Sequence, residues 1–376
     1  MSTEVGYFGP GKCYTGPVLD LAHRLAKHLG PWFVEHQRDL AWRRTRDPYA
    51  IWVSEIMLQQ TRVDTVEAYY GKFLERFPDV GSLAAADESE VLAAWSGLGY
   101  YRRARLLHAG ARHVAAVHGG AVPGDPETLR KIPGVGRYTA GAITSIAFDR
   151  PAALVDGNVA RVLSRIEAIT DPKLQDAGAA GHWTLAQKIV QAGSPRVLAQ
   201  ALMELGATVC TPAAPRCERC PVRGECQAHA KGLQATIPAP KQRAPSPRED
   251  LWAVAVRRDG RVLLERRASE GLLAGMWCLP LLARTQERAG ASPTAIAAAT
   301  GVKVKAVEAL AEPVKHVFTH RVWMLWPCRS EAVLSDMSKE TGDSGQVDGR
   351  LWIAPGERPR VGIPKVTEKL LAALGY

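Results

Sequence analysis

Four of the seven cysteines fall within 17 residues, spaced Cys210-x6-Cys217-x2-Cys220-x5-Cys226. The other three are scattered. A disulfide framework spreads its cysteines through a small secreted domain, so this clustering reads as a metal site instead. Four thiolates on one short loop can close a tetrahedral zinc site or hold one corner each of a cubane iron–sulfur cluster. Structural zinc generally uses two separated Cys-x2-Cys pairs, and here only Cys217 and Cys220 form one. Pro212, Arg216, Arg219, Pro221 and Arg223 make the loop rigid and cationic.

A second constraint lies just beyond. Residues 235–248 hold four prolines, which neither continue a helix nor pair in a sheet, and predict a semi-rigid linker. Before it, apolar residues recur at helical spacing and no alternating strand is evident. Asp47-Pro48 predicts a helix start and a helix running to Leu58; Thr61 is expected to cap the next, with Val63, Val66, Tyr70 and Phe73 on one face. Further helices are expected over 88–96, 102–117, 139–148, 158–168 and 183–190. After the linker the pattern changes. Asp259-Gly260 between two apolar runs is a hairpin signal, 317–326 reads as one strand, and the Ala-rich 293–311 as a helix or two. The expected architecture is therefore a mostly α domain over 18–234, a linker, and a smaller mixed α/β (α+β) domain over 249–376.

With 376 residues, 46% apolar and 23% charged, the composition is globular. No apolar run reaches the length of a membrane span. Met1–Pro17 is polar and Gly-rich without the pattern of a secretory signal, so a cytoplasmic location is expected, or a nuclear one in a eukaryote. The formal charge of +10 favours a polyanionic partner, with the excess shared by both halves of the chain.

Within 126–145 a short helix precedes Ile132-Pro133-Gly134-Val135-Gly136, and a longer helix follows. Two glycines around one apolar residue make a tight turn whose amides, beside a helix N-terminus, suit a phosphate. The turn follows a helix, so it is not the dinucleotide fingerprint.

Together, this hairpin, Val155-Asp156-Gly157-Asn158-Val159 and the cysteine spacing resemble the helix-hairpin-helix DNA glycosylases that carry a 4Fe–4S cluster. Within them, residues 54–61 (Ser-Glu-Ile-Met-Leu-Gln-Gln-Thr) and Gly97-Leu98-Gly99-Tyr100-Tyr101 are similar to the MutY-type adenine glycosylases. The resemblance implies excision of adenine opposite 8-oxoguanine or guanine in double-stranded DNA by a monomer, with the endonuclease III-like glycosylase/lyases as the alternative. It assigns the cluster to Cys210, Cys217, Cys220 and Cys226. It makes Glu55 the proton donor to adenine N7 and Asp156 the anion facing the sugar cation, which is the two-carboxylate logic of glycoside hydrolysis. Tyr138 stands where the lyases carry a lysine, so no Schiff base forms, and it is expected to bond Asp156 together with Asn158. Arg43 and Gln200 match positions contacting the extruded adenine. Gln60 and Tyr100 match the wedge and the opposite base, and Gly134, Gly136 and Arg137 the phosphates. Residues 250–376 resemble the attached Nudix-like domain, but Arg284–Ser292 lacks the paired glutamates of active pyrophosphatases. Phe318-Thr319-His320 stands where the family has Phe-Ser-His, a motif that reads 8-oxoguanine.

Overall fold

The computed structural model describes residues 17–240, 245–284, 291–310, 312–333, 346–347, 349–357, 359 and 361–376. Residues 1–16, the linker positions 241–244 and most of the glutamate-poor stretch at 285–290 lie outside the described residues. The helices in chain order are α1 (Pro17–His36), α2 (Pro48–Leu58), α3 (Val63–Arg76), α4 (Val80–Ala85), α5 (Glu88–Ala94), α6 (Arg102–His118), α7 (Pro126–Leu129), α8 (Arg137–Phe148), α9 (Gly157–Ile166), α10 (Ala180–Gln191), α11 (Pro195–Thr208), α12 (Gln227–Ala230), α13 (Pro293–Thr300) and α14 (Lys365–Ala373). The strands are β1 (Arg248–Arg258), β2 (Arg261–Arg266), β3 (Trp277–Cys278), β4 (Leu281–Ala283), β5 (Glu308–Ala309), β6 (Val314–Val317), β7 (Val322–Glu331), β8 (Gln346–Val347) and β9 (Arg350–Ile353).

By internal contacts the chain forms two compact units. Among the described residues, one comprises 17–71, 79–81 and 109–240; the other comprises 72–78, 82–108 and those from 245 on. The second unit therefore includes helical segments that the sequence pattern places with the first half.

The first unit is built around α2. Asp47 caps it, accepting from the amides of Tyr49 and Ala50, and Pro48 occupies its first turn. Tyr49 through Met57 are all buried, so this helix is apolar on every face and must be surrounded. The helix α8 packs against it. Beyond it, Leu25, Leu29, Val159, Leu163, Ile189, Leu198 and Leu202 form one core joining α1, α9, α10 and α11. The helix after α2 begins at Val63, two residues past the expected cap Thr61. Close approach is decisive at Gly141 in α8, where a Cβ would lie 1.9 Å from the Ala153 carbonyl oxygen.

In the second unit the sheet order is β5-β7-β1-β2-β9-β8, with β3 on β2, β4 on β1 and β6 on β7. The β1–β7 pair is parallel; the others are antiparallel. Alternation along β1 sends Ala253 and Ala255 into one core with α14, and Trp252, Val254 and Val256 into another with α13. At the β1–β2 hairpin, Asp259 and Gly260 both have positive φ, as a type I′ turn requires. Two expectations change here. The strand expected over 317–326 is two strands, because Phe318–Arg321 turn back with the Phe318 amide donating to the Arg321 carbonyl. The Ala-rich 293–311 is helical only to Thr300: Gly301 ends the helix at φ 69°, and the β-branched Val302 and Val304 follow.

Substituting Gly141 by Ala drives a methyl into the backbone that leads to Asp156. We expect a lower urea midpoint, equivalent to a loss of about 1–3 kcal/mol. A midpoint equal to that of the parent protein would contradict the close approach.

Candidate active site

A cavity of about 970 Å³ opens in the first unit. Its walls include Glu55 from α2, Tyr138 from α8, Asp156 and Asn158 at the start of α9, and Gln200, Met203 and Glu204 from α11. Arg43, Gln60, Gly134, Gly136 and Arg137 also line it. Residues far apart in the chain thus meet because α2 is buried among the helices that carry the others.

Glu55 is 5% exposed. Burial pushes its carboxyl up to about 7; the Tyr138 hydrogen bond and the Arg43 charge pull it back, while the nearby Asp156 charge adds to the rise. It is therefore half protonated near neutrality, as a general acid needs to be. The Tyr138 hydroxyl donates to Glu55 Oε2 at 2.9 Å and also faces Met203 Sδ at 3.1 Å. The expected Tyr138–Asp156 bond is not formed: α8 presents the phenol to α2 rather than to the start of α9. Burial holds the Tyr138 phenol well above its ordinary value, with the Glu55 and Asp156 charges adding to it.

Asp156 is the cap of α9. Its Oδ1 accepts from the amides of Asn158 at 2.9 Å and Val159 at 2.7 Å, and its Oδ2 accepts from Asn158 Nδ2 at 3.0 Å. These donors hold the orientation of the carboxyl group. Capping and a place in the cavity wall coexist in one side chain.

The wall opposite rests on a carboxylate that sequence reasoning missed. Glu204 is 1% exposed and takes Arg38 in a two-pronged bond, Nε to Oε1 at 2.9 Å and Nη2 to Oε2 at 2.7 Å. Arg43 Nη2 donates to the same Oε2 at 2.6 Å. Burial alone would raise the Glu204 carboxyl, but the two guanidiniums overcome it and hold the group at about 2. Its signal was available: the lone acid of its helix, flanked by Leu198, Ala201, Leu202, Met203 and Leu205. Gln200 itself is buried, with its Nε2 donating back to the Arg196 carbonyl at 3.0 Å. Arg196 Nη2 in turn donates to the carbonyls of Arg43 and Thr45, tying the start of α11 to the turn before α2.

The glycine hairpin forms as expected. The Ile132 amide closes on Leu129 and the Val135 amide on Ile132, and Gly134 sits at φ 79°. The Gly134 and Gly136 amides make no backbone bond among the described residues. Arg137 is stacked 3.7 Å over the Trp183 ring, with its guanidinium still exposed. Gln60, also exposed, has φ 57°, a strained conformation for a side chain-bearing residue.

In the second unit, Tyr100 (φ 49°, 46% exposed) meets Thr319: the two hydroxyl oxygens are 2.9 Å apart. Thr319 and His320 are exposed on the β6–β7 turn, whereas Phe318 is partly buried against His316 and Trp323. Tyr100 and the residues 318–320 are thus brought together, as are Glu55, Tyr138 and Asp156 within the first unit.

Cys210 follows α11, Cys217 opens a short 3-10 turn and Cys226 precedes α12. All four clustered cysteines are half-buried and free. Burial pushes the Cys220 thiol up to about 12, and the charges of Cys210, Cys226 and Cys217 raise it further, so the four sulfurs feel one another. The buried Arg165 donates to Cys210 Sγ at 3.3 Å and to the carbonyls of Thr211 and Pro212. Among the described residues no three His, Cys, Asp or Glu side chains stand in a ready-made metal-ligating arrangement. The donor set nonetheless suits a thiolate-bound group: four soft sulfurs, one loop, and a buried cation to offset their charge.

The fold and site define a DNA-repair protein of the helix-hairpin-helix class with an appended Nudix fold. The HhH-GPD superfamily of base excision DNA repair proteins matches residues 53–180, and the NUDIX domain matches 251–373. An adenine DNA glycosylase of Buchnera aphidicola is 32% identical over 254 residues, which is 67% of this chain and 71% of that protein. One from Rattus norvegicus is 40% identical over 307 residues, 68% of this chain and 59% of that protein. The chain belongs to the adenine DNA glycosylase family. It spans about three-fifths of the length of the mammalian relatives it matches. A solved thermostable thymine-DNA glycosylase shares the first fold, with 30% identity and a TM-score of 0.53 over 56% of this chain and 98% of that one.

The raised Glu55 carboxyl has a cost to stability that can be measured. Below the usual carboxylate value near 4.5, folded and unfolded chains both hold the proton. Between there and about 7 only the folded chain holds it, so stability falls with rising pH and is lowest above 7. Glu55→Gln removes this loss. It should stabilise the protein at pH 8 by up to about 3 kcal/mol and by much less at pH 5, read from urea midpoints. An equal effect at both pH values would contradict the buried, raised carboxyl.

Proposed function

We propose that this chain is a monofunctional DNA glycosylase that hydrolyses the N-glycosidic bond of adenine mispaired with 8-oxoguanine, or with guanine, in double-stranded DNA. The observation that carries the reading is the Glu55 carboxyl, buried in the cavity, held near 7 and facing Asp156. Loss of adenine needs a proton on the base and an anion beside the sugar. In this reading adenine leaves the duplex and enters the cavity. Glu55 then protonates N7, and Asp156, held by Asn158 and the α9 amides, stabilises the cationic sugar. Arg43 and Gln200 hydrogen-bond the adenine edge. Tyr138 bears on Glu55 and offers no amine, so the strand stays intact.

Gln60 and Tyr100 fill the gap and meet the opposite base. The Gly134–Gly136 amides and Arg137 take the phosphate backbone. Phe318, Thr319 and His320 present the surface that reads 8-oxoguanine, with Phe318 as anchor and the exposed Thr319 and His320 as contacts. The domains we propose are 18–234 for catalysis and 249–376 for recognition, joined by 235–248. Among the described residues no helix is long and apolar enough to cross a membrane. We place the protein as a monomer on cytoplasmic, nucleoid-associated DNA if its source is bacterial.

Cys210, Cys217, Cys220 and Cys226 would hold a 4Fe–4S cluster, which when bound supplies a rigid, DNA-positioning loop. Purified protein should then contain about four irons per chain and no stoichiometric zinc. Cys217→Ser should lose iron and lower the melting temperature. Stoichiometric zinc would overturn the assignment.

A duplex with one adenine opposite 8-oxoguanine tests the activity. The expected product is an abasic site that breaks only after alkali, with the rate declining above about pH 7 as Glu55 loses its proton. Glu55→Gln should bind the duplex yet excise nothing. Breakage without alkali would favour a lyase, and binding without any abasic product would rule out the proposed activity.

A further inference from the structure

The Tyr138 hydroxyl has one proton and two acceptors in reach, Glu55 Oε2 at 2.9 Å and Met203 Sδ at 3.1 Å. A phenol donates to one acceptor at a time. When Glu55 is ionised, the phenol proton belongs on the carboxylate. When Glu55 carries a proton on Oε2 that donates to the phenol oxygen, the phenol proton must go elsewhere. The thioether of Met203 is the remaining acceptor that the structure places on it. We propose that Met203 is the alternate acceptor that lets Tyr138 turn between the two protonation states of Glu55, and is thereby a positioning residue that favours the protonated acid. Calling Glu55 an acid rests on the function proposed above; the hydrogen-bond switch itself does not.

The placement supports the role. Met203 is half-buried in the cavity wall, on α11, one residue before the fully engaged Glu204. A thioether accepts weakly, so it steadies the turned phenol without locking it. On the Tyr138 side, loss of the Glu55 proton then needs only a hydroxyl rotation. As Glu55 gives up its proton, the Tyr138 hydroxyl swings from sulfur to the new carboxylate and compensates its charge.

The other groups facing Glu55 are Tyr138 from α8, Asp156 at the start of α9, and Arg43 from the turn before α2. Glu204 and Arg38 stand behind Arg43. None is altered by changing Met203, so a shift in the Glu55 titration reports on the sulfur.

The test is a carbon-13 NMR titration of Glu55 in the DNA-free holoprotein, alongside the pH profile of adenine excision. Met203→Leu keeps the volume and removes the acceptor. It should lower the Glu55 midpoint by roughly half a pH unit to one unit, and move the alkaline limb of excision equally. Met203→Gln, which restores an acceptor, should return the midpoint to the parent value or above. In a Tyr138→Phe background the Met203→Leu change should have no effect on the midpoint. Melting temperatures of all variants separate unfolding from a titration shift. An unchanged midpoint in Met203→Leu, or an equal shift that persists without the Tyr138 hydroxyl, would overturn the proposal. If the parent protein excises no adenine, the proposed function fails while the titration cycle still decides the switch.

Discussion

The structure depends on one unfavourable burial: a carboxyl placed inside an apolar helix. Glu55 sits among Trp52, Ile56 and Met57, all buried, on a helix that is covered on every side. Water is scarce there, so the charged form is penalised and the proton stays near neutral pH. One phenol contact relieves part of the penalty. Stronger relief, such as a direct arginine pair, would ionise the group and remove its value as an acid. The site therefore keeps its arginines elsewhere, on Glu204, whose carboxyl they hold at about 2. Two buried glutamates lining one cavity thus titrate far apart, set by their partners rather than by their chemistry.

The surrounding helices serve that contrast. Asp156 caps the helix α9 and accepts two of its amides, so the group facing Glu55 is fixed in orientation. The helix α11, capped by Ser194, carries Gln200, Met203 and Glu204 into the cavity lining, with Arg196 fastening its start to the turn that bears Arg43. Close packing without side chains, at Gly141, lets α8 bring Tyr138 into this wall while pressed on the backbone leading to Asp156. A small displacement in any one helix would be felt at the buried Glu55 carboxyl.

Much of this was legible. Asp47-Pro48 marks a capped helix start and Asp259-Gly260 a hairpin, each because the local chemistry admits few alternatives. The identities of Glu55 and Asp156 came from a resemblance rather than from spacing. The single strand expected over 317–326 failed because the polar Thr319-His320-Arg321 between two apolar runs contains no Gly, Pro, Asn or Asp to announce that Phe318–Arg321 reverse the chain. The Ala-rich run to residue 311 failed because Ala favours helix without specifying its end, which Gly301 does.

The partner of Tyr138 was beyond the sequence. Its position two residues after Gly136 excludes an amine nucleophile, and that is a property of the residue alone. Whether its hydroxyl meets Asp156, Glu55 or Met203 depends on how α8 is rotated against α2 and α11, which packing decides. The same holds for Glu204, an ordinary acid until folding buries it between two arginines, and for Tyr100, whose contact with Thr319 joins positions 219 residues apart. Residue types and short-range order are set by the chain itself; the protonation state and reach of each group are set by burial and distance, which exist only once the helices have packed.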